Sequence, residues 1–309
     1  MIYKMQIATL AEENLLWDDF SHRFGWLRER GFVLQINREV CPNSNTLLLD
    51  LVIEGDNNDL FMKDEDIVYI FKHQISEFLA EHILHDWENK MVRREISKRT
   101  RHLNGEELKI VWHKAMDFLQ RCNTNDSINL LFNYGRKNKI SHKIMDHIYH
   151  YDKLVIEGLI NFGMQDYWNE LRFAVDLACE ELNNEKEYND FVRLLRYFVD
   201  TQTPRMPEVN LRMDQDGLFF LWDGNGADID EKIINYYSNE LLYNDISLDD
   251  ILVSILITIS PRRIILHNSN SDNSEPVKVI RQVFGERIKD CGGCERCRQH
   301  QEGERNKSN

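Results

Sequence analysis

The stretch EYNDFVRLLRYFV, residues 187–199, decides the fold class. Tyr188, Phe191, Val192, Leu195, Phe198 and Val199 follow the i, i+3, i+4, i+7 spacing of an amphipathic helix. Pro204 and Pro207 then end the helical pattern and mark an internal boundary. Working back from this segment, the pattern is helical from about Asp64 to Gln202. Short polar breaks are expected near Leu103 to Gly105, Asn123 to Asp126 and Tyr134 to Lys139. Between Asp66 and Trp87, Ile67, Phe71, Ile75, Phe78 and Leu79 repeat at mostly three- and four-residue intervals, so one face must be buried.

The two ends read differently. Ile2 to Thr9 alternates weakly as a strand. Glu12 to Arg30 places Leu15, Leu16, Phe20, Phe24 and Leu27 near one helical face before Gly31. FVLQINREV (32–40) and TLLLDLVIEG (46–55) are β-rich and joined by the turn-forming CPNSN, which completes a βαββ unit. Beyond Pro207, Val209 to Asp223 holds two β-rich runs around Asp216-Gly217, a hairpin signal. Helices follow from Ile229 to Tyr243 and from Leu248 to Ser260, then a buried strand RIILH (263–267) and a helix from Glu275 to Phe284. Arg287 to Asp290 leads straight into a cysteine cluster. The expected fold is α+β: a predominantly helical centre flanked by an N-terminal βαββ unit and a C-terminal mixed portion of β-hairpin, helix and strand. The expected organisation is 1–62, 63–203, 204–290 and a Cys-rich polar tail, 291–309.

Only 5 prolines and 14 glycines occur in 309 residues of which 29% are charged, which favours helices over a many-stranded barrel. The formal charge of −14 disfavours nucleic acid and anionic lipid as partners unless a local patch overrides it. The densest basic run, KMVRREISKRTRH (90–102), carries six Lys/Arg but no interleaved aromatics, and reads as the solvated end of a helix. The longest apolar stretch, ILVSILITIS (251–260), is about half of the ~20 residues a membrane-spanning helix needs. With no apolar leader in MIYKMQIATLAEEN, the expectation is a cytoplasmic protein without membrane insertion.

Three of the six cysteines fall within CGGCERCRQH, where Cys291, Cys294, Cys297 and His300 recur every third residue. Two-residue gaps let adjacent thiolates share one ion or cluster, and Gly292-Gly293 permit the tight turn such a knuckle requires. Three thiolates plus the imidazole suit tetrahedral Zn²⁺; three thiolates with an outside fourth ligand suit an iron–sulfur cluster. A flexible tail of reduced thiols is the competing reading. A second C-x₂-C hook, which a zinc ribbon needs, does not occur elsewhere. His82 and His85 share a helical face and could form half of a metal site, and His147 could join them in space. Satisfaction by neighbouring carboxylates at the rim of the core is the expected role of these histidines. WDGNGADID (222–230) departs from the calcium-loop template and reads as a turn. P-loop, dinucleotide-binding, G-x-S-x-G and kinase signatures are absent from the sequence.

EKEYNDFVRLLRYFV (185–199), DDILVSILITISPRRIILH (249–267) and VIRQVFGERIKDCGGC (279–294) occur in the order of a known family, and the chain resembles the YtxC-like sporulation proteins of endospore-forming Firmicutes. The resemblance implies an intracellular, sporulation-linked setting and brings no catalytic residues. The expected function is a regulatory or interaction protein with a protein partner. The alternative is a metalloprotein holding zinc or an iron–sulfur cluster at its cysteines.

Overall fold

The computed structural model describes residues 1–10, 23–41, 46–55, 62–100, 102–121, 126–213, 219–229, 248–267 and 275–298. The fold is α+β and comprises two compact units, Met1–Asn183 and Asn184–Asn309.

The first unit is built on a four-stranded sheet of order β2-β3-β1-β4. Its strands are β1 (Tyr3–Leu10), β2 (Phe32–Cys41), β3 (Thr46–Gly55) and β4 (Lys153–Val155). β1 and β2 both pair antiparallel with β3, which puts Ile7 and Ile36 opposite Leu49 and Leu51 respectively. Alternation along β1 sends Met5, Ile7 and Thr9 inward, while Gln6 bonds Asp50 on the other face. The short helix α1 (Trp26–Glu29) precedes β2; residues 12–22 of the expected first helix lie outside the described residues. β4 runs parallel to β1, with Leu154 beside Ile7. It was not expected: three residues between helices carry too short an alternation to register.

The sheet is covered by helices. α2 (Asp64–His82) buries Ile67, Phe71, Ile75, Phe78 and Leu79, the stripe its spacing requires. It packs along α5 (Asp126–His150), where Ile140, Ile144 and Ile148 face the core and the small Ser76 and Ser141 meet at 3.0 Å between hydroxyls. A π turn (Ile83–Trp87) leads into α3 (Glu88–Arg99). α4 (Gly105–Gln120) starts at Asn104, whose side chain accepts from the N–H groups of Glu106 and Glu107 at 3.0 Å each. The break expected near Tyr134 to Lys139 does not form; α5 is continuous. Arg136 is drawn inside at that point, 3% exposed, to pair with the equally buried Glu88, and it donates to the Leu119 carbonyl at 3.1 Å. The Tyr167 hydroxyl also donates to Glu88. Burial and the adjacent Glu88 carboxylate raise the Tyr167 phenol well above its ordinary range, so it stays a neutral donor.

Helix α6 (Gln165–Thr201) contributes Leu171, Val175 and Leu182 to the first core and Val192 and Val199 to the second. The helix expected over 187–199 is therefore present, but its apolar stripe is only partly covered. Val192 and Val199 are buried and Leu195 half-buried, while Phe191 and Phe198 stand 56% and 49% exposed.

The second unit carries the sheet β6-β5-β7-β8. β5 (Val209–Met213) and β6 (Phe219–Asp223) form the expected antiparallel hairpin. β7 (Ile264–His267) joins β5 in parallel, and β8 (Ile288–Asp290) joins β7 in parallel. α7 (Leu248–Ile259) buries Ile251, Leu252, Ile255 and Leu256, and packs against α8 (Glu275–Phe284) through Val277, Ile280 and Val283. Pro261 follows α7 as expected. The helix expected over Ile229 to Tyr243 falls almost entirely outside the described residues.

Candidate metal centre

The β7–α8–β8 connection determines what stands beside the cysteines. In the parallel ladder Leu266 pairs with Asp290, and the Cys291 N–H continues the ladder by donating to the Leu266 carbonyl at 2.8 Å. Cys291 is thereby brought next to His267, the final residue of β7. Gly293 then takes φ +98°, a left-handed value that suits glycine, and the chain turns back into a helical turn over 295–298. This reversal returns Cys294 and Cys297 to the same place.

The result is one group of four potential ligands, His267, Cys291, Cys294 and Cys297, whose ligating atoms all lie within 4.8 Å of one another. His267 Nδ1 is 3.4 Å from Cys297 Sγ and 3.5 Å from Cys294 Sγ. Cys297 Sγ is 3.6 Å from Cys294 Sγ and 4.0 Å from Cys291 Sγ. A tetrahedron with Zn–S of about 2.3 Å and Zn–N of about 2.0 Å has S···S edges near 3.8 Å and N···S edges near 3.5 Å. These four spacings are those of ligands around a single ion. Ligands of a 4Fe–4S cluster bind different irons and stand further apart than one such edge, whereas two ligands on one iron of a 2Fe–2S cluster do not.

The surroundings favour the binding form of His267 and of Cys294. Asn210 on β5 donates through Nδ2 to the Asp223 carbonyl at 3.1 Å, which turns its Oδ1 toward His267. His267 Nε2 donates to that oxygen at 2.9 Å, so the Nδ1 lone pair faces the sulfurs. Burial, then the positive Arg212 and Arg296, hold the His267 imidazole below its usual pKa and hence neutral. At Cys294 partial burial pushes the thiol up. Hydrogen bonding from the Cys297 N–H, with the Cys297 and Cys291 sulfurs and from the Arg296 N–H outweighs this, and the thiol lies below its ordinary value.

The turn after Trp222 braces the same site. Asp223 Oδ1 accepts from the Asn225 and Ala227 N–H groups at 2.9 and 2.8 Å, confirming WDGNGADID as a turn. The Ala227 hydrogen bond, foremost, lowers the Asp223 carboxyl. Arg296 of the knuckle donates to the Gly226 carbonyl at 3.1 Å and lies over the Trp222 ring, which packs 4.8 Å from the His267 ring. At Gly226, φ is +87° and an added Cβ would sit 3.0 Å from the Arg296 guanidinium.

The three cysteines expected from spacing are thus brought together. His300 lies outside the described residues. The ligand that sequence reasoning missed is His267, read there only as part of a buried strand. A histidine closing an apolar strand one helix before a CxxCxxC is the signal that could have found it. The other histidines do not join a group of this kind among the described residues. Buried His82 pairs through Nδ1 with Asp86 at 2.6 Å. His85 is exposed, because the π turn rotates it away from the face it shares with His82 in a regular helix. His147 Nε2 lies 3.0 Å from the Lys153 carbonyl, closing the turn into β4.

Fold and centre together define an α+β protein with a closed three-cysteine, one-histidine ligand set. No helix among the described residues is long and apolar enough to cross a membrane. The YtxC-like family model matches residues 73–289, more than half of the chain, and the protein belongs to that family. The matched span contains His267 but ends before Cys291. A relative described as "Uncharacterized protein YtxC" from Bacillus subtilis (strain 168) is 28% identical over 133 residues, 43% of this chain and 46% of that protein. The aligned region therefore spans about half the relative's length. No solved structure matches.

Proposed function

We propose that this is a non-enzymatic interaction protein of the cytoplasm of sporulating cells whose C-terminal unit is held together by one structural Zn²⁺. The observation that carries the zinc is the approach of three sulfurs and one imidazole nitrogen to single-ion spacing, with Asn210 fixing the imidazole tautomer. Four protein ligands fill a tetrahedral ion and leave no position for substrate or water, the mark of a structural rather than a catalytic site. The sporulation setting is what the family resemblance implies. A partner surface on the helical region is supported by apolar side chains standing in solvent there, with Leu130 and Leu131 each 71% exposed.

Elemental analysis of anaerobically purified full-length protein is the test. About one zinc per chain is expected, together with its loss in C294S and C297S. Iron with visible charge-transfer absorption would establish the cluster alternative instead, and fully folded metal-free protein would overturn both. For the partner, crosslinking in sporulating cells should recover a specific protein with the wild type; recovery of none overturns that part.

A further inference from the structure

The basic run on α3 lacks aromatics in its own sequence, but folding supplies them from neighbouring elements. Lys90 lies 5.1 Å over Trp87 and Arg93 4.8 Å over Trp112 of α4. Arg94 and Lys98 lie 6.0 and 5.7 Å from the ring of Trp168 on α6. One flank of α3 borders a groove of about 500 Å³ lined by Arg93, Ser97, Lys109, Trp112 and His113 among others. The other flank borders a groove of about 330 Å³ lined by Arg94, Lys98, Phe162, Trp168 and Arg172, with the amides of Asn161 and Gln165. Among the described residues neither groove has a carboxylate in its lining, in a chain whose net charge is −14.

The cations are also held in place. Glu95, its side chain 6% exposed, sits beneath them at 3.6 Å from Lys98, 2.8 Å from Arg99 and 3.9 Å from Arg172. Arg99 pairs with Asp176 as well, so two carboxylates among three cations fix their positions and leave one surplus positive charge. Arg94 donates to Asn161 Oδ1 at 3.1 Å, beside Phe162, whose ring is 82% exposed.

We propose that the α3 surface binds single-stranded nucleic acid, with phosphates against Arg93, Arg94, Lys98 and Lys109 and a base stacked on Phe162. Two carboxylate-free grooves on opposite flanks of one helix suit a chain of phosphates crossing it better than a single nucleotide. The free aromatic face requires an unstacked base, which a duplex does not offer. Concave grooves also exclude the flat headgroup plane of a membrane from contacting both sets of cations together.

The test is fluorescence anisotropy of a labelled oligouridylate titrated with the full-length, metal-loaded protein. Four phosphate contacts on a single strand predict a roughly 50-fold loss of affinity between about 50 and 200 mM salt. The double variant R94Q/K98Q should lower the slope of log K against log salt by about 1.4. F162A should weaken binding about fivefold or more with the slope unchanged. R193Q, an exposed cation in the second unit, should alter neither. Thermal melts establish that each variant is folded; should R94Q/K98Q not fold, F162A decides, since its ring contributes nothing to the core. Absence of oligonucleotide binding by the wild type at low salt, identical affinity in wild type and F162A, or binding of phosphatidylserine vesicles with none of the oligonucleotide would overturn the proposal.

Discussion

The two units solve the same architectural problem with different means. Each has a four-stranded mixed sheet covered by helices, yet among the described residues the first buries 36 apolar side chains in its core and the second 18. The first also buries charge, but pairs it within the unit: Glu88, Arg136 and Tyr167 bond one another, and Arg136 also reaches the Leu119 carbonyl and, at 3.5 Å, Glu170. The second concentrates three thiols and an imidazole within 4.8 Å of one another, a set that could hold a cation. A large core tolerates a self-contained ion pair; a small one gains more from an external staple.

Metal removal breaks this contrast hardest. Zinc-finger peptides gain about 10–16 kcal/mol from their ion, so stripping zinc should cost the second unit several kcal/mol, more than any single substitution. Hydrogen exchange would then rise sharply in peptides covering 209–213, 264–267 and 276–290 while those covering 67–79 keep their protection. Uniform loss across both would show that the units are not independently held. Next in size is Arg136→Met, which leaves Glu88 buried without its cation and should cost the first unit about 3–5 kcal/mol in chemical denaturation, with metal content unchanged. Asn210→Ala removes the acceptor that orients His267. It should lower zinc affinity about 10–100-fold in competition with a chromogenic chelator, with little effect on the first unit. Smallest is Glu81, whose carboxyl is lowered chiefly by Arg23, with Lys137 assisting. A depressed carboxyl stabilises above its unfolded pKa of about 4.3, and that contribution disappears as pH falls through the folded value. Because the side chain is 43% exposed, the difference between wild type and Glu81→Gln should stay below about 1 kcal/mol at neutral pH and vanish in acid.

Legibility in the sequence followed the strength of local pattern. The α2 stripe, the β2–β3 pair, the β5–β6 hairpin and the Pro261 stop all rest on contacts or breakers close in sequence. β4 and β8 are three residues each and exist because a distant strand offers an edge, Tyr3–Leu10 for one and Ile264–His267 for the other. The polar run 134–139 looked like a break since burial of Arg136 depends on Glu88, 48 residues away. Spacing located the three thiols because a knuckle is local. It could not locate His267, which becomes their neighbour only through strand pairing, nor Trp112 and Trp168, which reach the α3 cations from other helices.

The parallel placement of β8 beside β7 has a kinetic consequence. His267 is synthesised before its sulfur partners, and it meets them only after a full crossover through α8 has returned the chain to the same sheet edge. An ion bound by any two thiols early in synthesis would lack both the imidazole and the Asn210 support, and would exchange readily. Tight capture of an ion would therefore come last, as a latch on a sheet already formed rather than as a seed for it.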